Sequence, residues 1–258
     1  MKAYFGFDDT DTHNSLYGTG KLVRWFQQKL SVESQCIGVV RQQLLVCDAI
    51  PYTSHNSAAC MIVEIPDLSM LDQMIADAVS HIESHAALGS DPGLCVAAEC
   101  DSNLENIVEY GRSCTHTIST QKQALQTAKN IHLSGHGGTH DGIIGAVAAV
   151  GLTLSGWSGR FIELRNLRDW PAQATVSELK DSGIETLSID RDAKVPVPSD
   201  IVITNGWLRP RLIGHRPVLL VRPQGQSIWT NIDGKRIKNG HSTMKNKPLT
   251  QTETVKSA

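Results

Sequence analysis

The sequence predicts a mixed α/β (α+β) protein. Two observations carry this. Short apolar runs of strand length alternate with amphipathic helical stretches through about residue 115. Glycine- and proline-rich turns punctuate the alternation.

Lys2 to Phe7 alternates weakly and reads as a strand. Beyond a glycine turn, Leu22, Phe26 and Leu30 recur every four residues beside Val23, predicting a helix from about Lys21 to Leu30. "CIGVV", "LLVCDAI" and "AACMIVEI" are strand-length apolar runs. In "DLSMLDQMIADAVSHIESHAAL", Leu68, Leu71, Ile75, Ala78 and Ile82 share one helical face, and Asp67 or Ser69 can cap it. "GLCVAA" is a further strand, and "SNLENIVEYG" a short helix with a Ser cap and a Gly stop. A second unit begins near Ser119: the helix "STQKQALQTAKN", a glycine-rich loop running into a small-residue helix, then strand, helix and strand in "FIELRNL", "TVSELKDSG" and "IETLSI". The two prolines of "KVPVPSD" suit a linker, after which "DIVITNG", "RPVLLVRP" and "QSIWTNI" read as β-runs. These readings divide the chain into 1–118, 119–195, a small basic β-rich segment 196–240, and a polar, aperiodic tail 241–258 expected to be disordered.

No apolar run approaches the roughly 18 residues that span a bilayer. The start "MKAYFGFDDT" lacks a signal-peptide apolar region, so the expected compartment is cytoplasmic, with no membrane partner. The six cysteines form no C-x-x-C pair and read as buried reduced thiols. Net charge is −2, but unevenly spread. From Asn205 onward ten basic residues face only Asp233 and Glu253, a net +8, leaving −10 for the first 204 residues. The basic end suits a polyanion.

Asp8, Asp9 and Asp11 crowd the turn after the first strand. Two carboxylates about 4 Å apart repel by roughly 4 kcal/mol at an effective dielectric of 20. A helix N-terminus offsets only about 0.3–1 kcal/mol per charge. The set therefore suits a hard divalent cation such as Mg²⁺, which keeps waters for substrate phosphates. A cap-and-turn role for "DDTDT" is the structural alternative. Gly18 and Gly20 let backbone N–H groups approach a phosphate; Thr19 lies between them, and Lys21 and Arg24 add positive charge at the helix start. The spacing is not that of a P-loop.

"SGHGGTHDGIIGAV" is a second glycine-rich entry to a helix. His132, His136 and His140 are four apart and would align on a helix as metal ligands, but the intervening glycines oppose a helix there. A ligand loop with His136, Gly137, Gly138, Thr139 and Asp141 near the ligand is the better reading. "IPYTSHNSA", carrying Tyr52, Thr53, His55 and Asn56, could reach the same cleft or form a plain turn.

Together "GFDDTDT", "RQQLLVCDAIPYTSHNSA" and "GHGGTHDGIIGAVAAVGL" resemble, in the same order and over roughly residues 1–165, the archaeal tRNA-isoleucine agmatinylcytidine synthetase family. The resemblance implies a kinase-like α/β domain using ATP and Mg²⁺, followed by a ferredoxin-like domain and a small C-terminal β segment. It implies that Asp8, Asp9 and Asp11 bind metal, that Thr53 and Asn56 line the active site, and that the loop from Gly135 to Gly142 faces it from the second domain. The sequence departs from the family in four places. "LYGTGKL" replaces a G-M-C-T-T-Y segment, so only Thr19 matches its threonine pair. "YTSHN" replaces the basic W-K-T-R-G-N loop. The OB domain is reduced to three β-runs, and the zinc ribbon has no counterpart.

The expected function is therefore Mg²⁺-dependent ATP binding with phosphoryl transfer, or ATP-driven activation of a small-molecule or RNA acceptor. Asp8, Asp9, Asp11 and Asn56 carry the chemistry; Gly18, Thr19, Gly20, Lys21 and Thr53 hold the nucleotide, and the 136–141 loop orients the acceptor. Arg209, Arg211 and Arg216 are candidate phosphate contacts. The rival readings are a non-catalytic nucleotide or metabolite sensor, a haloacid-dehalogenase-like phosphatase using Asp9 and Asp11, and a nucleic-acid-binding module supported by the basic end alone.

Overall fold

The computed structural model describes residues 1–53, 55–165 and 167–233. The first six long elements are β1 (Lys2–Asp8), α1 (Thr19–Gln27), β2 (Gln35–Gln43), β3 (Ser57–Glu64), α2 (Leu71–His85) and β4 (Gly93–Ala98). Their strands pair antiparallel in the order β4-β1-β3-β2, which is the ferredoxin-like βαββαβ arrangement. The ferredoxin-like topology thus lies in residues 2–98, ahead of the 119–195 span where it was expected. Alternating strands and helices are legible in both spans; which strands pair is a long-range matter that periodicity does not report.

Next come α3 (Leu104–Ser113), α4 (Gln121–Thr127), β5 (His132–Gly135) and α5 (Gly142–Leu154). β5 adds to the free edge of β4, and α5 packs on β1, β4 and α3. The expected unit boundary at 118/119 therefore falls inside one packed body. β6 (Arg160–Glu163) adds to β2 at the opposite side. β7 (Gln173–Thr175), α6 (Val176–Asp181), β8 (Glu185–Ser188), β9 (Ile201–Ile203), β10 (Arg211–Ile213), β11 (Arg216–Gly225) and β12 (Ile228–Asn231) complete the described chain. One sheet runs β5-β4-β1-β3-β2-β6-β10-β11-β12-β9-β7, with β8 beside β11. The expected linker 194–200 separates β8 from β9. The "LLVCDAI" run is not a strand. Leu44 and Leu45 instead donate to the carbonyls of Asn56 and Cys114, which holds 44–50 as a connection. Residues 234–258, including the expected tail, lie outside the described residues.

The ferredoxin-like unit is covered on both faces. Ala3, Phe5 and Phe7 of β1 join Leu22 and Phe26 of α1 and Met74 and Ile82 of α2 in one core. Tyr4, with Cys60, Cys95 and Ala97, faces Ile107 of α3 and the small residues of α5 in the other. This explains why the strands are apolar throughout rather than alternating. Gly6 lets α5 approach the sheet, since a methyl there would collide with the Ala146 carbonyl. Among the described residues no helix is long and apolar enough to cross a membrane.

Candidate functional site

The acidic turn leaves the end of β1 beside the start of α5. Its aspartates have different surroundings. Asp8 lies against the first turn of α5, where a methyl at Gly145 would strike its carboxylate. Burial, then the Asp9 and Asp11 charges, push its carboxyl up to about 7. Asp9 sits in the left-handed region at φ 52°. Burial and the carboxylates of Asp91, Asp11 and Asp141 raise it to about 6. Asp11 turns instead to α1, accepting from the Thr19 N–H at 3.2 Å, the Thr19 hydroxyl at 3.3 Å and the Thr53 hydroxyl at 3.1 Å. Buried Thr10 secures the turn, its N–H and hydroxyl meeting Thr19 Oγ1 at 3.3 and 3.1 Å. The cap role weighed for "DDTDT" thus belongs to Asp11, while Asp8 and Asp9 carry the unrelieved charge.

Asp91 escaped sequence reasoning. It precedes β4, whose Gly93 pairs with Asp8 across the sheet. Its oxygens accept from the Thr139 N–H at 2.6 Å and the Thr139 hydroxyl at 2.7 Å, and its backbone carbonyl accepts from the Gly142 N–H at 3.1 Å. Gly138, at φ 52°, leaves room that a side chain would take from Asp91. Asp141 accepts from Gln121 Nε2 at 2.6 Å. The glycine loop is therefore a clamp on Asp91 that brings Asp141 within electrostatic range of Asp9. The only sequence signal for Asp91 was its place just before a strand.

Among the described residues no three His, Cys, Asp or Glu side chains form a set that could hold a metal ion. Asp8, Asp9 and Asp11, expected to ligate one ion together, remain close enough for their charges to act on one another. His132 and His136 do not act as a helical ligand pair. Both bond Ser134 Oγ through Nε2, at 2.9 and 2.8 Å, along β5 and its exit, and burial lowers both imidazoles. The His136 ring faces Ser134 and Glu83, while its backbone N–H donates to the Pro92 carbonyl at 2.8 Å.

A groove of about 310 Å³ opens on the α1 side of the turn. Asp11, Gly18, Thr19, Gly20, Lys21 and Thr53 line it. Lys21 also holds its ammonium 5.0 Å from the Trp25 ring and 5.7 Å from that of Tyr17. Asn56 is a strap: its amide donates to the Leu45 carbonyl at 2.6 Å, and its own carbonyl holds Leu44 and Gln43. A catalytic role for Asn56 has no support in that geometry. Arg24, Arg41, Arg168 and His55 are also in its lining. Arg24 and Arg168 share Glu163, at 2.8 and 3.4 Å. Arg41 donates to the neutral Ser57 hydroxyl at 2.9 Å, and burial, Arg209 and Arg160 lower its pKa. The site is thus bipolar, with crowded carboxylates at one end, guanidiniums at the other, and Asp11 between them.

No protein-family model matches the chain, nor does any curated protein. Solved structures that resemble it include a tRNA fluorescent labeling enzyme and a complex of TiaS with an isoleucine tRNA and ATP. Each is 25% identical, with a TM-score of 0.51, over 58% of this chain and 36% of the other. The chain spans little more than a third of the length of those proteins. Over that matched share, it is a partial structural relative of TiaS, the agmatidine synthetase of an isoleucine tRNA.

Proposed function

We propose that the chain binds Mg²⁺-ATP in this bipolar cleft and uses it for phosphoryl transfer or to activate an acceptor, which is an RNA nucleotide. The observation that carries the reading is the juxtaposition of raised Asp9, facing Asp91 and Asp141, with the Arg24–Arg41–Arg168 groove across Asp11. Its likeness to an ATP- and tRNA-bound TiaS over 58% of the chain supports the same chemistry.

Mg²⁺ is commonly held by one or two carboxylates plus waters and phosphates, so a three-carboxylate set is not required. Asp9 with Asp91 is the fitting pair, since their mutual repulsion is what a dication relieves. When bound, the ion would neutralise charge developing on the phosphoryl oxygens. The chain's own residues would do the rest. Gly18 to Lys21 would line the phosphate path, Arg24, Arg41 and Arg168 would offset its charge, and Thr53 and Thr19 would hold Asp11 in place. Asp9, raised to about 6 by burial and the neighbouring carboxylates, would shed its proton as the cation binds. Asp11 is taken up by Thr19 and Thr53, which disfavours a haloacid-dehalogenase-like D-x-D pair acting on one phosphate. Isothermal titration tests the reading. ATP should bind only with Mg²⁺, and Asp9→Asn should weaken binding at least tenfold; unchanged binding in that variant would sink it. ATP binding without turnover of any acceptor would favour the sensor.

A further inference from the structure

Three arginines from distant parts of the sequence lie side by side in the sheet. Arg41 of β2 is paired with Arg160 of β6, and Arg160 with Arg211 of β10. Directly opposed residues of antiparallel strands project from the same face, and like charges so placed are destabilising. The row spans two inter-strand steps, about 10 Å at roughly 4.8 Å each. Asp233 relieves one end, meeting Arg160 at 3.0 Å and Arg211 at 2.8 Å. No carboxylate ion pair reaches Arg41 or Arg209 among the described residues, and burial and Arg160 lower the pKa of both.

Trp207 organises the adjoining edge. The Arg209 guanidinium lies 4.2 Å and that of Arg168 5.6 Å from its ring centre. Such contacts hold a cation in place without neutralising it. The row therefore retains an unmatched, pre-oriented positive charge and opens, through Arg41, into the groove beside Asp11. A fold keeps such a row at a cost in stability, and a polyanion removes that cost.

We propose that the Arg41–Arg160–Arg211 row, with Arg209, is a track for the phosphodiester backbone of a single nucleic-acid strand, leading its reacting nucleotide to the acidic corner. The proposal rests on the reading that the acceptor is a nucleic acid, and it assigns that strand its path.

The test is fluorescence anisotropy of a fluorescein-labelled single-stranded oligouridine with the full chain, beside Mg²⁺-ATP titration of the same samples. The variants are Arg160→Gln, Arg209→Gln and Arg211→Gln, which lie outside the groove lining, singly and together, with Lys at the same positions and thermal melting as controls for folding. The triple Gln variant should lose about 100-fold in oligouridine affinity, and its log Kd against log salt slope should flatten by about 2, three contacts at roughly 0.7 each. Its ATP affinity should be unchanged, and Lys should restore part of the slope. Oligouridine binding that is absent in the wild type, or unmoved in the triple variant, overturns the track and leaves the Mg²⁺-ATP reading standing. Loss of ATP binding in a folded row variant overturns it too, since the row would then serve the triphosphate. Should the triple variant not fold, Arg209→Gln alone decides, with about a fivefold loss of oligouridine affinity expected.

Discussion

The acidic corner and the arginine row are two crowds of like charge on one sheet, and the fold manages them differently. In the corner, Asp8, Asp9 and Asp11 are forced together by chain connectivity. They are partly buried, and two of them hold their protons to unusually high pH. In the row, Arg41, Arg160 and Arg211 are brought together by strand register. Guanidiniums cannot shed their protons near neutral pH, so they keep their charge and draw on solvent and Asp233, while Arg209 beside them lies on the Trp207 ring. Carboxylates can answer crowding by titrating; arginines can answer it only with counter-charge. That difference makes the corner responsive to pH and divalent cations, and the row responsive to salt and polyanions.

The contrast is most exposed to challenge at Gly145. A methyl there collides with the Asp8 carboxylate, so Gly145→Ala must displace α5 or eject Asp8. Overpacking at its upper end costs about 3 kcal/mol. Thermal melting should show that loss, and Mg²⁺-ATP affinity should fall with it while oligouridine binding survives. A variant with normal stability and normal ATP binding would show that the corner tolerates rearrangement.

Next in size is Asp8→Asn. Below the unfolded value of 3.8 the carboxyl is protonated in both states and imposes no penalty. As pH climbs from about 4 towards 7, the unfolded chain ionises first and the folded state loses ground; above about 7 the loss is complete. The asparagine variant should therefore melt higher than the wild type at pH 8 and equally at pH 3.5. A gain of about 2 kcal/mol is expected, half the full linkage value of about 4, because the amide still bears a burial cost. Calorimetric melts at the two pH values check this, and a gain present at pH 3.5 would contradict it.

A smaller effect is expected in the row. Asp233→Asn removes the shared partner of Arg160 and Arg211. These arginines are substantially exposed, so stability should fall by only about 1 kcal/mol. The loss should shrink as salt rises towards 1 M, where the screening length is about 3 Å. The same change should tighten oligouridine binding several-fold. Melts and anisotropy across a salt series measure both, and weaker oligouridine binding would separate the row from any polyanion role.

The aspartates, the glycine turn before α1 and the glycine loop before α5 were legible because each is a local cluster whose crowding or backbone freedom shows in adjacent letters. Thr53 was legible only through its motif, and it does reach Asp11. Asn56 belonged to the same motif and is a strap, since hydrogen-bond partners, not residue type, decide what an amide does. Arg41 and Arg160 carried no signal. A single arginine in a strand reads as an ordinary solvent-facing residue until its cross-strand neighbours are known.

The letters of the chain suffice for the alternation of strands and helices, the apolar character of strands covered on both faces, and the presence of an acidic turn followed by a glycine entry to a helix. These follow from periods of two and 3.6 residues and from short-range charge, all of which lie within a few residues of chain. Three features needed the packed fold: residues 2–98 form the ferredoxin-like unit, Asp91 joins Asp9, and arginines 41, 160 and 211 share a row. Each depends on which strands pair and in which register, and a one-residue slip in register would turn every side chain of the strand to the opposite face.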